Sequence, residues 1–227
     1  MEKYRITDNK NACFILSALF WGFLLFVEFK GTILFRVFPK DLLIEYIDPV
    51  FYGMFFLAVI IIFRKAFIVS AKDFVENFKK YIGLSVIFFF VTMLLMVVSA
   101  VVIYSFGIGD SSNQQAIDEA VVQYGFLQII TVCLLGPVVE EVFYRGIIFE
   151  MLKGEGNSMI GNIIAVILTS FIFAFMHVSL VDFSVTDMIA NIPILMLGLM
   201  LTMLRCKTDN ILCSVIVHIG INVIATI

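Results

Sequence analysis

Charged residues divide this chain into seven long uncharged stretches: Asn11–Val27, Pro49–Phe63, Tyr81–Gly109, Val121–Val139, Gly156–Val181, Met188–Leu204 and Asn210–Ile227. A helix needs about 20 mostly apolar residues to cross a hydrocarbon layer ~30 Å thick. The pattern therefore predicts an all-α, polytopic membrane helix bundle of about seven transmembrane helices, within a range of six to eight. Pro49–Phe63 is short by itself and borrows Leu42–Tyr46, which brings Glu45 and Asp48 close to the headgroups. Tyr81–Gly109 exceeds one crossing and overhangs into a polar loop, Asp110–Glu119. The fourth stretch continues as helix to about Lys153, with a kink expected at Gly136-Pro137. Lys65–Lys80 reads as an amphipathic, lysine-rich helix on the membrane surface.

Lys and Arg favour the cytoplasmic side of a membrane protein. With seven crossings and a cytoplasmic N-terminus, Lys3, Arg5, Lys10, Arg64, Lys65, Lys72, Lys79, Lys80, Lys153, Arg205 and Lys207 fall inside, against Lys30, Arg36 and Lys40 outside. The N-terminus is thus expected in the cytoplasm. The first apolar run is too long for a signal-peptide core and no small-residue cleavage site follows it, so a cleaved leader is not expected. Residues 1–227 read as a single membrane domain, with 121–227 as the part that carries the polar motifs. Composition agrees: 62% of residues are hydrophobic, 15% charged and 25 are Phe, with net charge −3. An average globular domain has about 45–50% and about 25%. No basic field is present to attract nucleic acid. The four cysteines, Cys13, Cys133, Cys206 and Cys213, form no CxxC pair and read as small core hydrophobes.

Ionisable groups at bilayer depth cost at least ~2.5–3.5 kcal/mol each, so those present are functional candidates. Glu140, Glu141 and Arg145 interrupt the fourth hydrophobic segment. Neighbouring helical residues point about 100° apart, so the two carboxylates face different surroundings. Glu141 and Arg145, spaced i,i+4, can pair on one face; Glu140 has no local cation. The chain's two histidines both lie in apolar segments, His177 one turn after Phe173, and His218 one turn before Asn222. Together these groups predict one polar pocket inside the bundle. Counted along the helices at ~1.5 Å per residue, they do not come out level, because Glu140 and His177 lie ~20–25 Å from the expected cytoplasmic ends and His218 only ~12 Å.

A carboxylate and an imidazole around one water form a general base that generates a nucleophile. A second imidazole and an amide N–H can donate to an oxyanion. These are the parts of an amide hydrolase. Ser170 and Ser179 flank His177 but lie in no GxSxG elbow, and neither an HExxH motif nor a Walker loop occurs. Water is therefore the expected nucleophile.

EExxxR at Glu140–Arg145, FxxxH at Phe173–His177 and HxxxN at His218–Asn222, in that order on three hydrophobic segments, resemble the signature motifs of the CPBP (Abi) intramembrane proteases. That family includes type II CAAX prenyl endopeptidases and bacterial bacteriocin-processing or self-immunity proteins. The resemblance covers roughly Val121–Ile227. It implies an intramembrane endopeptidase in which Glu140 is the base, His177 helps to deprotonate the water, and His218 and Asn222 stabilise the oxyanion. Glu141, Arg145 and Phe173 would support the site. No cofactor is the preferred reading, because it gives Asn222 a role; zinc held by Glu140, His177 and His218 is the alternative. The expected partners are a peptide or membrane-protein substrate and the lipid bilayer, in a bacterial plasma membrane. A non-catalytic membrane receptor or immunity protein that binds a peptide is the competing reading. A proton relay through the same groups is less favoured, since no inverted repeat is visible.

Overall fold

The computed structural model describes residues 5–29, 40–153, 158–180 and 183–226. Lys3, Lys30, Arg36 and the stretch ends Gly156, Val181 and Ile227 lie outside them. The described residues are helical with no strand. After a 3₁₀ turn at Ile6–Asp8, the helices are α1 (Lys10–Phe29), α2 (Lys40–Ile62), α3 (Arg64–Glu76), α4 (Phe78–Ser105) and α5 (Ser112–Tyr124). They are followed by α6 (Phe126–Lys153), α7 (Met159–Phe175), α8 (Val185–Ala190), α9 (Ile192–Thr208) and α10 (Ile211–Thr226).

Each of the seven uncharged stretches has a helix over most of its length. Two helices, α4 and α6, are long and apolar enough to cross a membrane alone, and α2 with α3 makes a third span if that pair, bent by 75°, counts as one. Met159–Phe175, Ile211–Thr226 and Lys10–Leu25 are shorter apolar helices. The chain is an integral membrane protein by this hydrophobic content. Helix α4 turns Ile87, Phe90, Leu94, Val98 and Val101 outward, a surface that only lipid covers without cost.

Three boundaries differ from the sequence reading. The expected loop Asp110–Glu119 is mostly helix, because Ser111 caps α5 by accepting the Gln114 N–H at 3.3 Å. Val121–Tyr124 ends α5 rather than beginning the fourth span, because Gly125 at φ 58° and ψ −130° breaks the chain before α6. The fifth span stops at Phe175, so His177 sits in the turn beyond α7.

Two apolar cores flank α6. On one side Val139, Val142 and Phe143 pack with Phe20 of α1 and with Phe51, Phe55 and Val59 of α2. On the other, Tyr144 packs with Phe173 of α7, Leu197 and Leu201 of α9, and Val217 and Ile221 of α10. Consecutive residues of α6 thus serve opposite cores, which is why this helix is buried where α4 is exposed.

Candidate active site

The centre of α6 is not regular. Thr131–Leu135 and Val142–Ile148 are π-helical, on either side of the α-helical Gly136–Glu141. In the first wide turn the Gly136 N–H bonds to the Thr131 carbonyl, five residues back. The next bond in that register would come from residue 137 to the Val132 carbonyl, but Pro137 has no N–H. Asn222 fills the vacancy: its Nδ2 donates to the Val132 oxygen at 2.9 Å. Gly136 is required by the same turn, since a Cβ there would lie 3.1 Å from the Thr131 oxygen. Two π turns thus flank Gly136-Pro137, where the sequence reading placed a kink; such turns frequently mark functional positions in helices.

These turns aim the paired carboxylates in different directions. Glu141 is fully buried. Its Oε1 accepts from Arg145 Nη1 at 2.8 Å and from His218 Nδ1 at 2.9 Å. Arg145, also fully buried, donates as well from Nε to Thr202 Oγ1 at 3.3 Å and from Nη2 to the Gly198 carbonyl at 3.1 Å, both on α9. Its guanidinium lies 4.5 Å from the centroid of Phe173. A guanidinium has five donors and no acceptor, so this one group joins α6, α7 and α9.

Glu140 faces a cavity of about 340 Å³. His177, His218, Asn222 and Phe173 line it too, with Tyr52, Tyr144, Gln128 and Thr131, whereas Glu141 and Arg145 lie behind its wall. Oε2 of Glu140 is 3.8 Å from His218 Nε2, and Oε1 accepts a long bond from the Tyr52 hydroxyl at 3.4 Å. Nδ1 of His177 is 2.7 Å from the Phe173 carbonyl. A carbonyl only accepts, so this nitrogen carries the proton and Nε2 carries the lone pair. His218 follows the same logic with Glu141 as acceptor. Phe173 stands between the histidines, its centroid 4.7 Å from His177 and 5.9 Å from His218.

The α9–α10 turn is covered by α3, and the unequal depths counted along the sequence do not keep His218 from Glu140. Asn210 is 1% exposed and its Nδ2 donates to the Ser70 carbonyl and to Asp73 Oδ2, both at 2.8 Å. From this anchored start α10 carries His218 to within 3.8 Å of Glu140.

Sequence reasoning missed Tyr52, Thr202 and the Val132 carbonyl. Tyr52 had a weak signal, as a hydroxyl within an apolar run; the carbonyl had only Pro137. Free Nε2 lone pairs suit a base or a metal ligand alike. Among the described residues, however, no three His, Cys, Asp or Glu side chains are grouped so as to hold a metal ion.

Residues 122–224 match the family described as type II CAAX prenyl endopeptidase Rce1-like. A Bacillus subtilis (strain 168) protein named as a candidate membrane peptidase, YdiL, is 32% identical over 132 residues, 55% of this chain and 52% of that protein. The chain spans about half the length of this curated relative. No solved structure matches significantly. The matched segment contains all three motifs and every helix that supplies them, α6, α7 and α10. Over residues 122–224 the chain is similar to the Rce1-like, type II CAAX prenyl endopeptidase family, in agreement with the resemblance of its motifs to those of the CPBP proteins.

Proposed function

We propose that this protein is an intramembrane endopeptidase that hydrolyses a peptide bond in a membrane-associated peptide or protein. The observation that carries the reading is the cavity in which Glu140, His177, His218 and Asn222 meet, in a chain whose matched family is a peptidase family. A water bound at Glu140 and at the Nε2 lone pair of His177 loses a proton to the carboxylate, and its oxygen attacks the scissile carbonyl carbon. The carbonyl π electrons move to oxygen. His218 turns Nε2 toward this oxyanion: its Nδ1–H is held by Glu141, so Nε2 donates only in a molecule where it already carries a proton taken from solvent. Asn222 contributes the amide N–H that Val132 leaves free. Glu140 then returns its proton to the departing amine, and the C–N bond breaks.

Glu141 and Arg145 hold these groups in place from behind the cavity wall, and Phe173 supports the two histidines from the cavity itself. The mechanism is metal-free, and the protein acts within a bacterial plasma membrane, N-terminus inside, across about seven spans. Peptide maturation, signalling-peptide processing and self-immunity are all compatible with a substrate of this kind.

Membrane and secreted peptides of cells carrying wild type or Glu140→Ala, compared by mass spectrometry, test the reading. Peptides should vanish from the variant while the protein still inserts. Identical profiles would favour a non-catalytic receptor instead, and activity lost to a strong chelator and restored by Zn²⁺ would overturn the metal-free mechanism.

A further inference from the structure

The two oxyanion donors above are both partly committed. His218 must gain a proton before Nε2 donates, and Asn222 already spends one N–H on Val132. A third donor faces the same cavity from α2, outside the segment that carries the family motifs: the hydroxyl of Tyr52, 3.4 Å from Glu140 Oε1. Both groups lie beside Gly136, where a Cβ would be in ordinary van der Waals contact with them, 3.7 Å from Glu140 Oε1 and 3.9 Å from Tyr52 Cε1. On the far oxygen of the same carboxylate lies His218 Nε2, so Glu140 is held between a phenol and an imidazole.

We propose that Tyr52 is a catalytic residue, donating its O–H to the oxyanion formed when water adds to the scissile carbonyl. The inference rests on the peptidase reading. In the resting site the phenol donates to the Glu140 carboxylate. When Glu140 takes the proton of the attacking water it becomes a neutral acid and a poorer acceptor, while a negative oxygen forms beside it. The O–H turns from one to the other. No proton leaves Tyr52; it exchanges a weakening acceptor for a strengthening one, and it returns when Glu140 protonates the leaving amine. A donor engaged only as charge develops contributes to kcat rather than to substrate binding.

The test uses the full chain in detergent with an internally quenched peptide library, and with a phosphinic peptide built on whichever member is cleaved. Tyr52→Phe removes one oxygen and keeps the ring. It should lower kcat on the order of 10²-fold, the effect of losing one oxyanion donor, with KM nearly unchanged. Affinity for the phosphinic peptide, whose charged tetrahedral oxygen mimics the intermediate, should fall by a similar factor, and Tyr52→Gln, which keeps a donor, should recover part of the rate. Unaltered kcat in Tyr52→Phe, with Glu140→Ala inactive, overturns the role of Tyr52 alone. A lowered kcat with full phosphinic affinity also overturns it, by reducing Tyr52 to a support for Glu140. Equal rates in wild type and Glu140→Ala overturn the peptidase reading and this role with it.

Discussion

Arg145→Ala tests the reasoning about the buried network most directly. The substitution removes the ion pair to Glu141, the bonds to Thr202 and Gly198, and the contact with the Phe173 ring. Thr202 remains satisfied, because its hydroxyl donates to the Gly198 carbonyl at 2.7 Å. Glu141 does not. It keeps His218, and among the described residues its Oε2 has no hydrogen-bond partner. Stranding one member of a buried pair costs about 3–5 kcal/mol. At ~2–4 °C per kcal/mol for a chain of this size, the melting temperature should drop by roughly 6–20 °C. Arg145→Lys retains the charge but cannot reach both α9 acceptors, so it should lose only about 1–3 kcal/mol. The assay is thermal unfolding of detergent-solubilised protein followed by size exclusion. The cycle with Glu141→Gln separates stranded charge from lost packing, since Glu141→Gln/Arg145→Met should melt closer to wild type than Arg145→Ala does. A melting temperature for Arg145→Ala within ~2 °C of wild type would refute the bracing role.

Asn222→Ala orphans the Val132 carbonyl and should cost about 1–3 kcal/mol; adding Pro137→Ala supplies a new N–H and should restore part of the stability but not the cleavage rate, whereas additive losses in the melting assay would contradict the exchange. At Gly198 a Cβ would lie 3.0 Å from Phe173 Cδ1 and 3.3 Å from the Ser170 carbonyl. Gly198→Ala should therefore push α9 from α7, cost ~1–3 kcal/mol and slow cleavage through Phe173; a variant matching wild type in both melting and rate would show that this contact has slack.

The motif residues were legible because polarity is rare in this chain. Glu140, Glu141, Arg145, His177, His218 and Asn222 stand out against apolar neighbours, and i,i+4 spacing alone pairs Glu141 with Arg145. Tyr52 was not legible, because one tyrosine among seven shows no preference for a cavity over lipid. The Val132 carbonyl has no side-chain signature at all, and Gly136 and Pro137 are the local trace of the first π turn. Helix α5 was read as loop because its residues are polar and none is buried; a helix held by its cap leaves no apolar stripe to detect. Counting along the helices did not bring His218 level with Glu140, although the two side chains lie 3.8 Å apart, because distance from a helix end carries no information on how neighbouring helices are staggered.

The place of Glu140, inside a cavity lined from α2, α6, α7 and α10, also limits what reaches it. In a continuous α-helix each carbonyl oxygen accepts the N–H four residues on, and the side chains wrap the backbone. A helical segment cleaved as proposed must therefore expose its scissile carbonyl by uncoiling there. It must first give up backbone hydrogen bonds around that bond, and it can do so cheaply only where glycine, proline or a nearby chain end has already weakened the helix. Selection among membrane segments would then depend on how easily each one unwinds, before any side chain is read.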